Sequence, residues 1–205
     1  MPLTPRPSKI VCIGRNYVDH AKELGNPVPD TEPLFFLKPP SSLIGDGGAI
    51  VLPPQSQRVE FEGEIGLIIG ATLHRASEDE AGTAVAAIVA LNDVTARDLQ
   101  RKDSQWSRAK GFDTFCAVGN PNAGPFDLGA LEVVTRVNGV ERQRGRSSEM
   151  IFSIPFCLSF VSHIMTLEPG DLVATGTPAG VGPLSSGDTV EVEIVGLSHV
   201  RNVVQ

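Results

Sequence analysis

VEFEGEIGLIIG, residues 59–70, sets Glu60, Glu62 and Glu64 at alternate positions and then runs into the apolar stretch Ile65 to Ile69. Extended chain turns successive side chains to opposite faces, so the three carboxylates are predicted to share one face of a strand, with neighbours about 7 Å apart. Like charges at that spacing repel. The alternation alone reads as the solvated face of an amphipathic strand. The apolar run argues instead for a strand that enters the core with its carboxylates near one end, where a hard divalent cation would gather them.

Composition narrows the setting. A chain of 205 residues can bury a substantial core, and one domain over residues 1–205 is expected, with the proline-rich residues 1–8 as an extended lead-in. Seventeen Lys and Arg against 24 Asp and Glu give a net charge of -7. That excludes the electrostatic footprint of a nucleic-acid or anionic-membrane binder and points to a small-molecule partner. No apolar run reaches the roughly 20 residues that span a bilayer, and the start MPLTPRPSKI has no signal-peptide core, so a cytoplasmic protein is expected. Cys12, Cys116 and Cys157 are odd in number and set among apolar residues, which suits reduced core thiols. With 21 Gly, 16 Pro and many short Val, Ile and Leu runs, the chain reads as strands joined by tight turns, β-rich with some helix.

Local signals divide the chain further. Asn16 is a plausible N-cap and Gly25 a plausible C′ residue for the short helix YVDHAKEL, in which His20 and Glu23 are neighbours at i and i+3. A carboxylate beside an imidazole raises its basicity, as a general base needs, although an exposed polar pair has the same spacing. LFFLK predicts a strand stopped by Pro39, with Lys38 facing either a site or solvent. Ser77 and Glu80 form a capping box for a helix expected to reach about Ala87. IVALNDVTARDLQ predicts a buried strand delivering Asp93 at its polar end, then a helical turn carrying Arg97, Asp98 and Gln100. The basic run before Lys110 balances either a carboxylate site or an acidic surface, and solvent is the simpler place for Arg101, Lys102 and Arg108. Asn138 and Gly139 mark a type I′ hairpin. His163 falls in a core helix and reads as structural. TGTPAGVGP is a glycine-rich loop whose amides suit an anion such as a carboxylate, without the Lys-Ser or Lys-Thr pair of a P-loop.

Taken in order, GRNYVDHAKE, FFLKPPSSLIG, EFEGEIGLIIG, LNDVTARDLQ, AKGFDTF, QRGRSSEMIF and LEPGDLVATGTPAGVGP resemble the fumarylacetoacetate hydrolase family from about residue 9 to the end, and most of all its small acylpyruvate hydrolase branch. The resemblance implies an α+β, β-rich fold of mixed, curved sheets rolled around the active site with peripheral helices, and a homodimer. It implies a divalent ion, Mg²⁺ or Mn²⁺, held by Glu62, Glu64 and Asp93, three oxygen donors that leave positions open for a chelating 2-oxo acid. His20 and Glu23 correspond to the family's dyad on a lid, with Lys110 as a further catalytic residue. Arg97, Gln100 and Thr177 map onto its substrate-binding positions. Glu60 stands where relatives often carry His and is expected to be a strand-end charge rather than a fourth acidic neighbour of the metal.

The implied reaction is hydrolysis of a carbon–carbon bond in a 3-acylpyruvate, such as fumarylpyruvate or acetylpyruvate, to pyruvate and a carboxylic acid. The same apparatus suits decarboxylation or tautomerisation of oxaloacetate, and isomerisation or decarboxylation of muconate-type diacids in aromatic catabolism. From another class, a non-catalytic module that binds a metal or a 2-oxo acid would keep the fold without the chemistry.

Overall fold

The computed structural model describes Leu3 and residues 6–205. The lead-in expected over residues 1–8 therefore falls partly outside the described residues. In order the chain forms β1 (Ile10–Gly14), α1 (Val18–Glu23), β2 (Leu34–Lys38), β3 (Leu43–Ile44), β4 (Ala49–Ile50), β5 (Val59–Phe61) and β6 (Gly63–Ile69). Next come α2 (Glu78–Thr83), β7 (Val85–Asp93), β8 (Thr95–Ala96), α3 (Arg97–Lys102), α4 (Ser107–Gly111) and β9 (Cys116–Val118). The remainder is β10 (Glu132–Val137), β11 (Val140–Arg146), α5 (Ile154–Ser162), β12 (Leu172–Ala174), β13 (Gly182–Pro183), β14 (Thr189–Ile194) and β15 (Ser198–Val204).

Three sheets result: β2-β1-β12-β6-β7-β9-β3, β11-β10-β14-β15-β4 and β13-β5-β8. Parallel pairs, β1 with β12 and β3 with β9, sit among antiparallel ones, so the large sheet is mixed. Period-two alternation decides what each of its faces meets. Val11, Ile13, Ile65, Leu67, Ile88 and Ala90 pack against Val133, Val192, Ile194 and Val200 of the five-stranded sheet and against α5. The opposite face brings Cys12 of β1 and Cys116 of β9 into one cluster with Val89 and Leu91, although three strands separate β1 from β9 in the sheet order. Each Leu or Ile removed from water here contributes about 2–3 kcal/mol. The fold is the mixed, curved, β-rich architecture with few helices expected from the sequence. No helix of the described residues is long and apolar enough to cross a membrane.

Several local expectations hold. Asn138 and Gly139 take left-handed φ of 52° and 76° between β10 and β11, as a type I′ turn requires. The Ser77–Glu80 capping box forms at the start of α2. Gly25 follows the end of α1 with φ 67°. All three cysteines are free and buried.

Others need correction. The predicted strand over 59–70 is two strands, because β5 joins the three-stranded sheet and β6 the seven-stranded one. At the break the Glu62 N–H donates to the Asn92 side-chain oxygen at 3.0 Å instead of to a strand. Helix α2 stops at Thr83 rather than near residue 87, since residues from Val85 onward pair with β6. Asn16 does not cap α1. It is fully buried, and its amide accepts the Phe152 N–H at 2.9 Å and donates to the Phe152 and Thr175 carbonyls at 3.1 and 3.0 Å.

Candidate active site

The pairs Glu60–Thr95 and Gly63–Asn92 belong to one antiparallel register that spans the break between β5 and β6. That register sets Glu62 opposite Asp93, and the Asp93 N–H donates to the Glu62 carbonyl at 2.8 Å. Glu64 follows at the start of β6. Glu62, Glu64 and Asp93 are all buried, and each offers an oxygen within 4.8 Å of the others. Glycine between the two glutamates is a packing requirement: a Cβ at residue 63 would lie 1.9 Å from Thr135 Oγ1 on β10.

Cations surround the cluster. The Lys110 ammonium donates to Glu62 Oε2 at 2.7 Å and to Asp93 Oδ2 at 2.5 Å, and Lys38 reaches Asp93 Oδ1 at 2.6 Å. Arg97 Nη2 lies 2.5 Å from Glu62 Oε1. Burial works to raise the Glu62 carboxyl, but Lys110 and Arg97 outweigh it and hold the group well below the usual carboxylate range. Glu64 goes the other way. Burial, then the charges of Asp93 and Glu62, push it well above that range, and its nearest support is the Gly176 N–H at 2.7 Å. Lys110 stays firmly protonated, because Asp93 and Glu62 overcome the opposing effect of burial.

Three hard oxygen donors converging without enough positive charge for Glu64 make a donor set that fits a divalent cation. Glu62, Glu64 and Asp93 would hold it, with Lys110 marking where a positive charge already sits between two of them.

Glu60 is not an open strand-end charge. It is 1% exposed and holds Arg97 Nε at 2.7 Å and Arg58 Nε at 2.5 Å. Its carboxylate therefore fixes the guanidinium that pairs with Glu62. Along α3, Arg97 Nη1 donates to Gln100 Oε1, which leaves the Gln100 amide hydrogens free for another partner.

His20 is brought to the same cavity, of about 330 Å³, by α1. Its Nδ1 is buried without a hydrogen-bond partner and lies 3.6 Å from Glu23 Oε2, beyond hydrogen-bonding reach. The expected rise in basicity is not found. Burial, the largest influence, lowers the imidazole below its usual value against the opposing pull of Glu62, while the smaller effects of Arg97, Glu23 and Lys110 run in both directions. Glu23 itself stays at the surface, where both carboxylate oxygens accept the Gly180 N–H at 3.2 Å. The glycine-rich loop does hold carboxylates, as its composition predicts, but they are the chain's own Glu64 and Glu23.

Thr177 lines the cavity with its hydroxyl tied on both sides, donating to the Gly63 carbonyl at 2.9 Å and accepting from Gln143 Nε2 at 2.7 Å. Sequence reasoning passed over Gln143. It is 1% exposed, and its Oε1 takes the Gly63 N–H at 2.9 Å while its amide also donates to the Pro178 carbonyl at 2.8 Å. It thus clamps the Glu62–Glu64 turn to the glycine-rich loop. Nothing in the polar run VERQRGR sets this residue apart. Arg15 was likewise missed, and Arg101, expected to face solvent, is exposed yet lines the cavity. His163 lies outside the site, its ring bonded to the Ser159 carbonyl at 2.9 Å.

A family model described as the fumarylacetoacetate (FAA) hydrolase C-terminal matches residues 9–205. The chain is 42% identical over 200 residues to a mitochondrial oxaloacetate tautomerase of Arabidopsis thaliana, covering 95% of this chain and 89% of that protein. Among solved structures, fumarylpyruvate hydrolase from Pseudomonas aeruginosa in complex with Mn²⁺ and pyruvate superposes with a TM-score of 0.89 at 30% identity, covering 97% of this chain and 89% of that one. A 5-carboxymethyl-2-hydroxymuconate delta-isomerase from Mycobacterium smegmatis superposes with a TM-score of 0.90 at 41% identity, covering 99% and 81%.

Proposed function

The chain belongs to the fumarylacetoacetate hydrolase family, and on that premise we propose that it is a Mg²⁺- or Mn²⁺-dependent hydrolase of the carbon–carbon bond in a 3-acylpyruvate. The observation that carries this reading is the convergence of Glu62, Glu64, Asp93, Lys110 and His20 on one cavity. A divalent cation at the three carboxylates would supply Lewis-acid stabilisation of negative charge on the 2-oxo-acid end.

The chain's own groups supply the rest. His20, kept neutral by burial, is in the form a general base needs at neutral pH. Nε2 takes the proton of a water that attacks the acyl carbonyl, while Nδ1 sits 3.6 Å from Glu23 Oε2. Arg97, Gln100 and Thr177 orient the substrate. The Lys110 ammonium, also seated 4.9 Å over the Phe36 ring, stabilises negative charge on the departing pyruvate oxygen. Water adds across the broken bond, its hydroxyl to the acyl carbon and a hydrogen to the carbon that becomes the pyruvate methyl.

The test is Mg²⁺-dependent loss of the enol absorbance of acetylpyruvate or fumarylpyruvate. His20→Ala should abolish turnover while Mn²⁺ binding measured by calorimetry is retained; normal turnover in this variant overturns the reading. A second reading, tautomerisation of oxaloacetate, is favoured by the Arabidopsis thaliana relative, and its decarboxylation by an oxaloacetate decarboxylase of Dictyostelium discoideum that is 42% identical over 196 residues. Assaying oxaloacetate beside the acylpyruvates decides between them, and binding of all these acids without turnover would favour a non-catalytic module.

A further inference from the structure

The buried wall of the cavity pairs its charges; its outer part does not. Three carboxylates, Glu62, Glu64 and Asp93, line the cavity together with four cations, Arg15, Arg97, Arg101 and Lys110. Arg97 and Lys110 are held by carboxylates, whereas among the described residues Arg15 and Arg101 have no carboxylate partner. Arg15 directly follows β1 with φ of 58°, a left-handed conformation that a long side chain seldom adopts. Its Nε is buried with no hydrogen-bond partner. The guanidinium carbon lies 5.7 Å from the centre of the Trp106 ring, and Trp106 is in turn set edge-on against Phe36 at 5.3 Å. Trp106 also packs on Gly14, where a Cβ would come within 3.3 Å of the indole. The strained backbone and the aromatic platform together hold an unpaired guanidinium fork at the edge of the site.

We propose that Arg15, seated on Trp106, binds a second carboxylate at the far end of the substrate, so that the preferred substrate is a 2-oxo acid carrying two carboxylates. The inference rests on the acylpyruvate reading above and sharpens it, because that reading alone admits monoacids and diacids equally. A planar guanidinium with an unsatisfied Nε–H matches the two oxygens of a carboxylate, and a neutral acyl tail would leave that buried donor unpaired. Arg101, exposed on the same cavity, reinforces the preference for negative charge at that end.

The experiment compares fumarylpyruvate, a diacid, with acetylpyruvate, a monoacid, using the Mg²⁺-loaded protein. Arg15→Asn keeps a residue that tolerates left-handed φ and removes the fork. The ratio of kcat/KM for diacid over monoacid should fall about 10- to 100-fold, chiefly through the KM of the diacid. Trp106→Leu keeps apolar packing, removes the platform and should shift the ratio the same way by a smaller factor. If wild-type protein turns over both acids and neither variant moves the ratio, the inference is overturned while the acylpyruvate reading stands. Wild-type protein inactive on both acids overturns that reading, and the inference with it.

Discussion

Glu62 and Asp93 stand opposite each other in a single antiparallel register, joined by the Asp93 N–H to the Glu62 carbonyl at 2.8 Å and bridged at their carboxylates by Lys110. Residues directly opposite in such a ladder carry Cβ atoms about 4.5–5.5 Å apart. Two like charges at that separation persist in a buried place only with counter-charge, which Lys110 and Arg97 provide for Glu62 but not for Glu64. The consequences of that imbalance can be measured.

Glu64→Gln should act in opposite directions with and without metal. In the metal-free protein at pH 7, burial and its neighbours make an ionised Glu64 costly, so a neutral amide should raise stability by about 1 kcal/mol, or roughly 2–4 °C in Tm. Mn²⁺ affinity should fall by at least about tenfold, since one anionic ligand is lost. Thermal melts in chelator and calorimetric titration check both; lowered metal-free stability with unchanged affinity would remove Glu64 from the cation site.

The acid limb of the rate profile should lie below the ordinary imidazole value of 6.5, because burial lowers His20 and outweighs the opposing pull of Glu62. The sign follows from the role of a base. A lowered value keeps His20 unprotonated to lower pH, so kcat/KM holds as pH falls to 6.5 and drops only as His20 charges below it. A bound divalent cation pushes in the same direction. An acid limb above 6.5, measured over pH 4.5 to 8 (about), would count against His20 as the base.

Glu60→Gln separates two roles for this carboxylate. As the anchor of Arg97, its loss should raise the substrate KM by roughly tenfold, the effect of weakening a charge-assisted contact, with Mn²⁺ affinity nearly unchanged. A fall in metal affinity matching that of Glu64→Gln would make Glu60 part of the cation site instead.

Gly63→Ala should destabilise the protein by about 3 kcal/mol, since the new methyl would meet Thr135 Oγ1 at 1.9 Å. Adding Thr135→Ala removes that oxygen, which has no hydrogen-bond partner in any case, and should recover part of the loss. Additive single effects in urea unfolding would show that the contact is not the reason for glycine.

Several features were legible before any coordinates because their causes are local. The Asn138–Gly139 turn, the Ser77–Glu80 capping box and the strand delivering Asp93 depend on backbone preferences and on apolar patterning over a few residues. Motif order was enough to nominate Glu62, Glu64, Asp93, His20, Lys110, Arg97, Gln100 and Thr177, all of which line one cavity. Equal spacing made Glu60, Glu62 and Glu64 look alike. Tertiary structure separated them: Glu60 is paired with Arg97 and Arg58, Glu62 with Arg97 and Lys110, and Glu64 with a single backbone amide. The lowered basicity of His20, the clamp made by Gln143 and the unpaired Arg15 over Trp106 were likewise set by residues distant in sequence. Local order is written in neighbouring residues, whereas burial and Coulomb interaction depend on distances in space that only the folded chain defines.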